Sequence, residues 1–272
     1  MPFYILQHEP IAPGLRRIAH EQIGIVLSRF ADDAVPVQRQ VHSLRARCKK
    51  MRGLLRLSRP SMGDAFDVED QKFRAAAKQL AGYRDMDVFA KTIESLGGSI
   101  GEVNAQPTPI PVAALRRSLE IMARCQDAVD DWPLDIRGFE DLAPGLSRTY
   151  QKCLDAWGAT LHEPSDANFH LLRKMTKYHW YQVRILERLN KWEIRKRRNR
   201  LRDLQLTLGN AHDLAVLQAI LESQDDLQMQ LLQRAITRKR ELYANATRIG
   251  GEVYAKSADE LLSDYSRWWT ES

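Results

Sequence analysis

Two rows of cations stand out. His42, Arg45, Lys49, Arg52 and Arg56 follow one another at steps of 3, 4, 3 and 4 residues. His170, Arg173, Lys177 and Arg184 repeat the row, with Trp180 in the fourth place. Steps of three and four bring side chains onto one face of an α-helix. That stripe normally is apolar and turns to the core. Here it is positive, and like charges at this spacing repel by about 0.3 kcal/mol per pair. The chemistry such a stripe suits is capture of a strongly negative partner. Arginine grips phosphate through two parallel N–H bonds, while lysine acts as a mobile point charge. No Asp or Glu lies between Asp33 and Asp64, where eight Lys or Arg occur, and none lies between Asp166 and Glu187. Solvated helices usually mix charge signs, so both acid-free stretches favour a binding role.

Other residue types support or compete with this reading. His42 and His170 open the rows and suit phosphate donation or a structural hydrogen bond. A metal site needs partners at ligand spacing. His179 lies nine residues after His170 on a different helical face, and no metal site is expected. Asp85 and Asp213 occupy matching places and are read as internal partners that orient Arg45 and Arg173. Arg17 and Arg148 follow two similar segments, Ala12-Pro13-Gly14-Leu15 and Ala143-Pro144-Gly145-Leu146, and are candidates to line the anion path. The cluster Arg195 to Arg200 suits either a solvated helix start or nucleic acid. Trp180, Tyr181, Trp268 and Trp269 could stack on bases, but aromatics in a helical chain more often fill the core. No phosphate-binding glycine loop, dinucleotide turn or nucleophile motif occurs, so no enzyme and no cofactor are expected.

The elements that must carry these residues read as helices from end to end. An offset of 128 residues maps His42, Leu44, Arg45, Lys49 and Arg56 onto His170, Leu172, Arg173, Lys177 and Arg184. It also maps Arg74, Leu80, Asp85 and Val88 onto Arg202, Leu208, Asp213 and Val216. The two Ala-Pro-Gly-Leu segments match at an offset of 131, and the difference falls in turns, where length varies cheaply. This self-similarity predicts a duplicated unit: residues 1–137 and 138–272, each a four-helix bundle, in an all-α fold. The first row's helix is expected over residues 37–58, ended by Pro60, with Leu44, Cys48, Met51 and Leu55 as its apolar stripe. The second row's helix is expected over 167–189. Separate helices are expected over 193–208 and 212–224.

Composition sets the outer limits. The chain has 272 residues, 44% of them hydrophobic, and a net charge of +6. That balance favours a polyanion and supplies enough apolar side chains for a core. Three cysteines without CxxC spacing suit a reduced, cytoplasmic setting, and no apolar run approaches a membrane span.

The segments VHSLRARCKKMRGLLRL and FHLLRKMTKYHWYQVRIL resemble the paired histidine-led basic helices of the CHAD domain, the conserved-histidine α-helical domain. GYRDMDVF and LGNAHDLAVL are similar to its downstream segments. The likeness runs from about Ile11 to the C-terminus. It implies two pseudo-symmetric helical bundles around a basic cleft that binds inorganic polyphosphate, with association to polyphosphate granules and the proteins there. Lys49 and Lys50 stand where the family often has Arg, and Trp180 where it often has a basic residue. The first half is therefore expected to carry more of the binding. A nucleic-acid binder and a metal-dependent phosphohydrolase are the competing classes.

Overall fold

The computed structural model describes residues 2–80, 86–103, 109–223 and 228–271. The described residues form ten α-helices and one 3-10 turn, and contain no strand. The helices are α1 (Ile11–Phe30), α2 (Val37–Met62), α3 (Ala65–Lys78), α4 (Met86–Glu94) and α5 (Val112–Ala128). They continue as α6 (Phe139–His162), α7 (Asp166–Ile185), α8 (Lys191–Glu222), α9 (Met229–Val253) and α10 (Ala258–Thr270). Starts are set locally. Ser165 Oγ accepts from the amide of Asn168 before α7, and Asn190 Oδ1 accepts from the amides of Trp192 and Glu193 before α8. Ser257 and Glu260 close a reciprocal capping box on α10.

The two cation rows ride on α2 and α7, and the apolar stripe beside the first row behaves as its spacing predicts. Leu44, Cys48, Met51 and Leu55 are fully buried. They join one core that continues through Phe139, Leu142 and Leu146 of α6 to Leu172 of α7 and Tyr265 of α10. Helix α1 packs on α2 and α5, α3 packs on α2 and α5, and α6 packs on α7 and α10. Helix α2 also packs directly on α6 and α7, so it is shared by both halves of the chain. A second, smaller core joins Phe89 and Ile93 of α4 to Leu217 and Leu221 of α8 and to the inner face of α9.

Helix α7 ends at Ile185, short of the expected 189, and two further boundaries differ from the sequence expectation. Helix α2 does not stop before Pro60 but runs through it to Met62. Proline has no N–H, so the carbonyl of Arg56 has no helical donor there. The α2 backbone at that point lies against α6 at Gly145: a Cβ on Gly145 would stand 2.7 Å from the Arg56 carbonyl oxygen and 2.1 Å from that of Leu57. Tertiary packing thus holds the last turn in place. Helix α8 is one helix where two were expected. Leu208, Ala211 and Leu214 are buried on either side of Gly209, and their packing outweighs the roughly 1 kcal/mol a helical glycine costs.

Candidate anion-binding site

Helices α2 and α7 approach closely at Gly53. A Cβ there would lie 2.9 Å from the Cβ of Tyr181, so only glycine fits this crossing. Gly53 and Tyr181 are themselves 128 residues apart. Beside the crossing opens a cavity of about 190 Å³ lined by His42, Arg45 and Lys49 of α2 and by Arg173, Lys177 and Tyr181 of α7. The helical period that puts each row on one face, and the crossing that turns both faces to the same space, together assemble four cations.

Burial, and for the two lysines the neighbouring cations as well, lowers the pKa values here. Lys49 is pushed down to about 8, first by the burial of its surroundings and then by Lys177, Arg173 and Arg45. Its side chain nevertheless stays solvent-exposed and therefore reachable by a ligand. Lys177 is lowered by burial and by Arg173. Burial also lowers Arg173, an effect that the carboxylate of Asp213 partly offsets. Arg173 Nε is buried without a hydrogen-bond partner. The backbone carbonyl of Arg173 accepts from Gln205 Nε2 at 2.9 Å, which ties α7 to α8 behind the site.

His170 does not pair with His179. It faces His212 of α8, ring centroids 4.8 Å apart and Nδ1 to Nδ1 3.4 Å. Burial lowers both imidazoles, and Arg173 and Lys49 lower them further, His212 to about 4. Both shifts favour the neutral imidazole, and the tautomers set which ring nitrogen donates. His179 is fully buried, and its Nε2 accepts from Arg197 Nη2 at 3.0 Å. Among the described residues no group of three His, Cys, Asp or Glu is arranged to hold a metal ion.

The remaining row residues are not in the cavity. Arg52 and Arg56 turn toward α3, where both grip Asp70. Arg52 Nε and Nη2 reach the two Asp70 oxygens at 2.9 and 3.1 Å, and Arg56 Nη1 reaches Oδ1 at 2.6 Å. Arg56 also stacks 4.2 Å from the Tyr178 ring. Sequence reasoning missed Asp70, because a carboxylate on the next helix becomes a partner only once α2 and α3 pack. Arg184 lies over Trp180 and Phe3, at 5.0 and 5.2 Å. Arg17 is held by Glu9, Glu21 and the Tyr4 carbonyl, all within 2.9 Å, and does not line the cavity. Arg148 is exposed on α6, away from the cavity. Asp85 falls outside the described residues. In the basic cluster, Arg197 is bound to His179, Arg198 to Glu187 and Arg200 to Glu252. The aromatics are largely enclosed: Tyr181 and Trp268 are buried, and Trp180 is packed against the core.

An all-helical protein with four convergent cations, and a carboxylate set behind one of them, has the charge and the opening that an extended anion needs. The family model described as the CHAD domain matches residues 27–222, and the chain belongs to that family. The matched stretch is narrower than the likeness read from the sequence and ends with α8, so α9, α10 and most of α1 lie beyond it. No curated protein and no solved structure matches the chain. No described helix is long and apolar enough to cross a membrane.

Proposed function

We propose that the protein binds inorganic polyphosphate, without catalysis, in the cavity between α2 and α7. The observation that carries this reading is the convergence of Arg45, Lys49, Arg173 and Lys177 on one cavity from two helices. His42 lines the same cavity as a further donor, whereas His170 lines a neighbouring one with His212. The family likeness points to the same ligand class. The cavity's aromatic, Tyr181, is buried against Gly53 and offers no face on which a base could stack. A ligand that presents only charge fits better than one that presents bases. Three cations of the Arg195–Arg200 cluster are already paired within the fold, which weakens the nucleic-acid reading.

We also infer that residues 1–137 and 138–272 are two copies of one unit about a twofold axis. Gly53 touches Tyr181, its own equivalent, and Phe89 and Ile93 share a core with theirs, Leu217 and Leu221. Equivalent positions meet each other only near such an axis. The axis makes the cavity a joint product of both copies, two cations from each. Recruitment to polyphosphate granules would follow from binding alone.

The test is charge reversal. Arg45→Glu with Arg173→Glu should abolish retention on polyphosphate while circular dichroism keeps the helical signal. Unchanged affinity would remove the site. Displacement of long-chain polyphosphate by duplex DNA or RNA at equal phosphate concentration would remove the ligand. Release of orthophosphate with a divalent metal, lost in an Asp213→Asn variant, would replace binding by hydrolysis.

A further inference from the structure

We propose that the bound polyanion does not end in the cavity but continues around α7 onto a second basic patch built by α2, α3, α6 and α7, an inference that rests on the polyphosphate reading. The patch holds Arg59, Arg74, Lys152 and Lys174, with Arg148 at its margin. Arg74, Arg148, Lys152 and Lys174 are all exposed. Arg59 lies over the Phe66 ring at 4.2 Å, which fixes its guanidinium near the surface. Arg52 and Arg56 form the floor, locked by Asp70 and stacked on Tyr178, one turn along α7 from Lys174. Asp70 is already shared by these two arginines, and Asp155 accepts from Gln151 at 2.9 Å.

The patch is positive enough to disturb its own lysines. Lys174 is lowered by burial and then by Arg52, Arg56, Arg74 and Lys152; Lys152 by burial and then by Arg148, Arg56 and Arg59, which Asp155 partly offsets. The two basic regions also touch. Lys174 follows Arg173 directly, and Lys174, Arg173 and Lys49 together lower His170. Lys174 is also one turn from the cavity residue Lys177 on α7, so an anion leaving the cavity along that helix meets Lys174 next.

The fold does not require this charge, because the equivalent face of the other half lacks it. Arg148 and Lys152 correspond to Arg17 and Glu21, which form an ion pair at 2.9 Å. Arg59 corresponds to Glu187 and Lys174 to Ala46. Arg74 keeps a basic equivalent in Arg202, which neighbours Asp203 at 3.5 Å. A track with one open basic face gives the polymer a single preferred exit.

The experiment measures affinity against chain length, from tripolyphosphate to long-chain polyphosphate, for the wild type and for Arg74→Gln/Lys152→Gln/Lys174→Gln. Expected are coinciding affinities for the shortest chains that bind, then divergence. The wild type keeps gaining with length where the variant levels off, reaching a loss of at least about tenfold for long chains. The slope of log affinity against log salt should become shallower by about 2 for those chains, from roughly 0.7 for each phosphate that the variant leaves unneutralised. A control at the position equivalent to Arg74, Arg202→Gln, should follow the wild type. Curves that coincide or run parallel at every length overturn the proposal. A loss seen only when duplex DNA replaces polyphosphate overturns it in favour of a nucleic-acid surface. A wild type that binds no length overturns the polyphosphate reading itself.

Discussion

Lys49 is the residue on which the site's charge crowding can be read most directly. Its folded value of about 8 lies below the ordinary 10.5, so between those values the unfolded chain holds more protons than the folded one. The resulting destabilisation is complete below about pH 8 and fades as pH rises toward 10.5. Lys49→Met should therefore melt above the wild type at pH 7, with the gap closing toward pH 10; a constant gap would show that Lys49 is not perturbed. Asp70 has the opposite role, since it relieves crowding. The side chains of Arg52 and Asp70 are 17% and 15% exposed. Removing the carboxylate leaves two largely enclosed guanidinium groups without their partner. Asp70→Ala should cost on the order of 3 kcal/mol, measured by urea denaturation. Asp70 was hidden in the sequence as one acid among several on α3, whereas the row it serves was plain from spacing alone.

The helices owe their positions to close approaches that glycine permits. A Cβ on Gly145 would meet the Leu57 carbonyl oxygen at 2.1 Å, and backbone atoms cannot swing aside as a side-chain end can. Gly145→Ala should destabilise by about 3 kcal/mol, the upper part of the usual overpacking range. Gly24 of α1 has open space around its Cβ direction. Gly24→Ala should stabilise by roughly 0.5–1 kcal/mol through helix propensity alone. Opposite shifts in melting temperature for the two variants check both statements in one series. Both glycines sit in helical patterns and look alike in the sequence. Which one a neighbour touches depends on how α6 crosses α2, and that is a property of packing.

For the molecule as a whole, anion binding should be linked to protons as well as to salt. A bound polyanion raises the pKa of Lys49 back toward that of a free lysine. At pH 8, where Lys49 is about half neutral, complex formation should take up about half a proton at that site. Calorimetry in two buffers of different ionisation enthalpy measures this uptake, and the Lys49→Met variant should lack that share of it. Affinity should fall steeply and linearly on a log–log salt plot, as phosphate binding releases counterions. A salt-independent affinity would contradict a site made of four cations.

Sequence alone determined the helical class, the burial of Leu44, Cys48, Met51 and Leu55, and the two cation rows, because each follows from periods of three and four along one chain. The resemblance to the CHAD domain also implied that α2 and α7 are paired around a basic cleft. Only the tertiary structure decided how the rows divide. Arg45, Lys49, Arg173 and Lys177 enter one cavity, while Arg52 and Arg56 turn to Asp70 and Arg184 turns to Phe3. A helical row is continuous, but two crossing helices are close only near their crossing point, here Gly53 and Tyr181. Cations on one side of that point share a cavity, and those beyond it must find other neighbours.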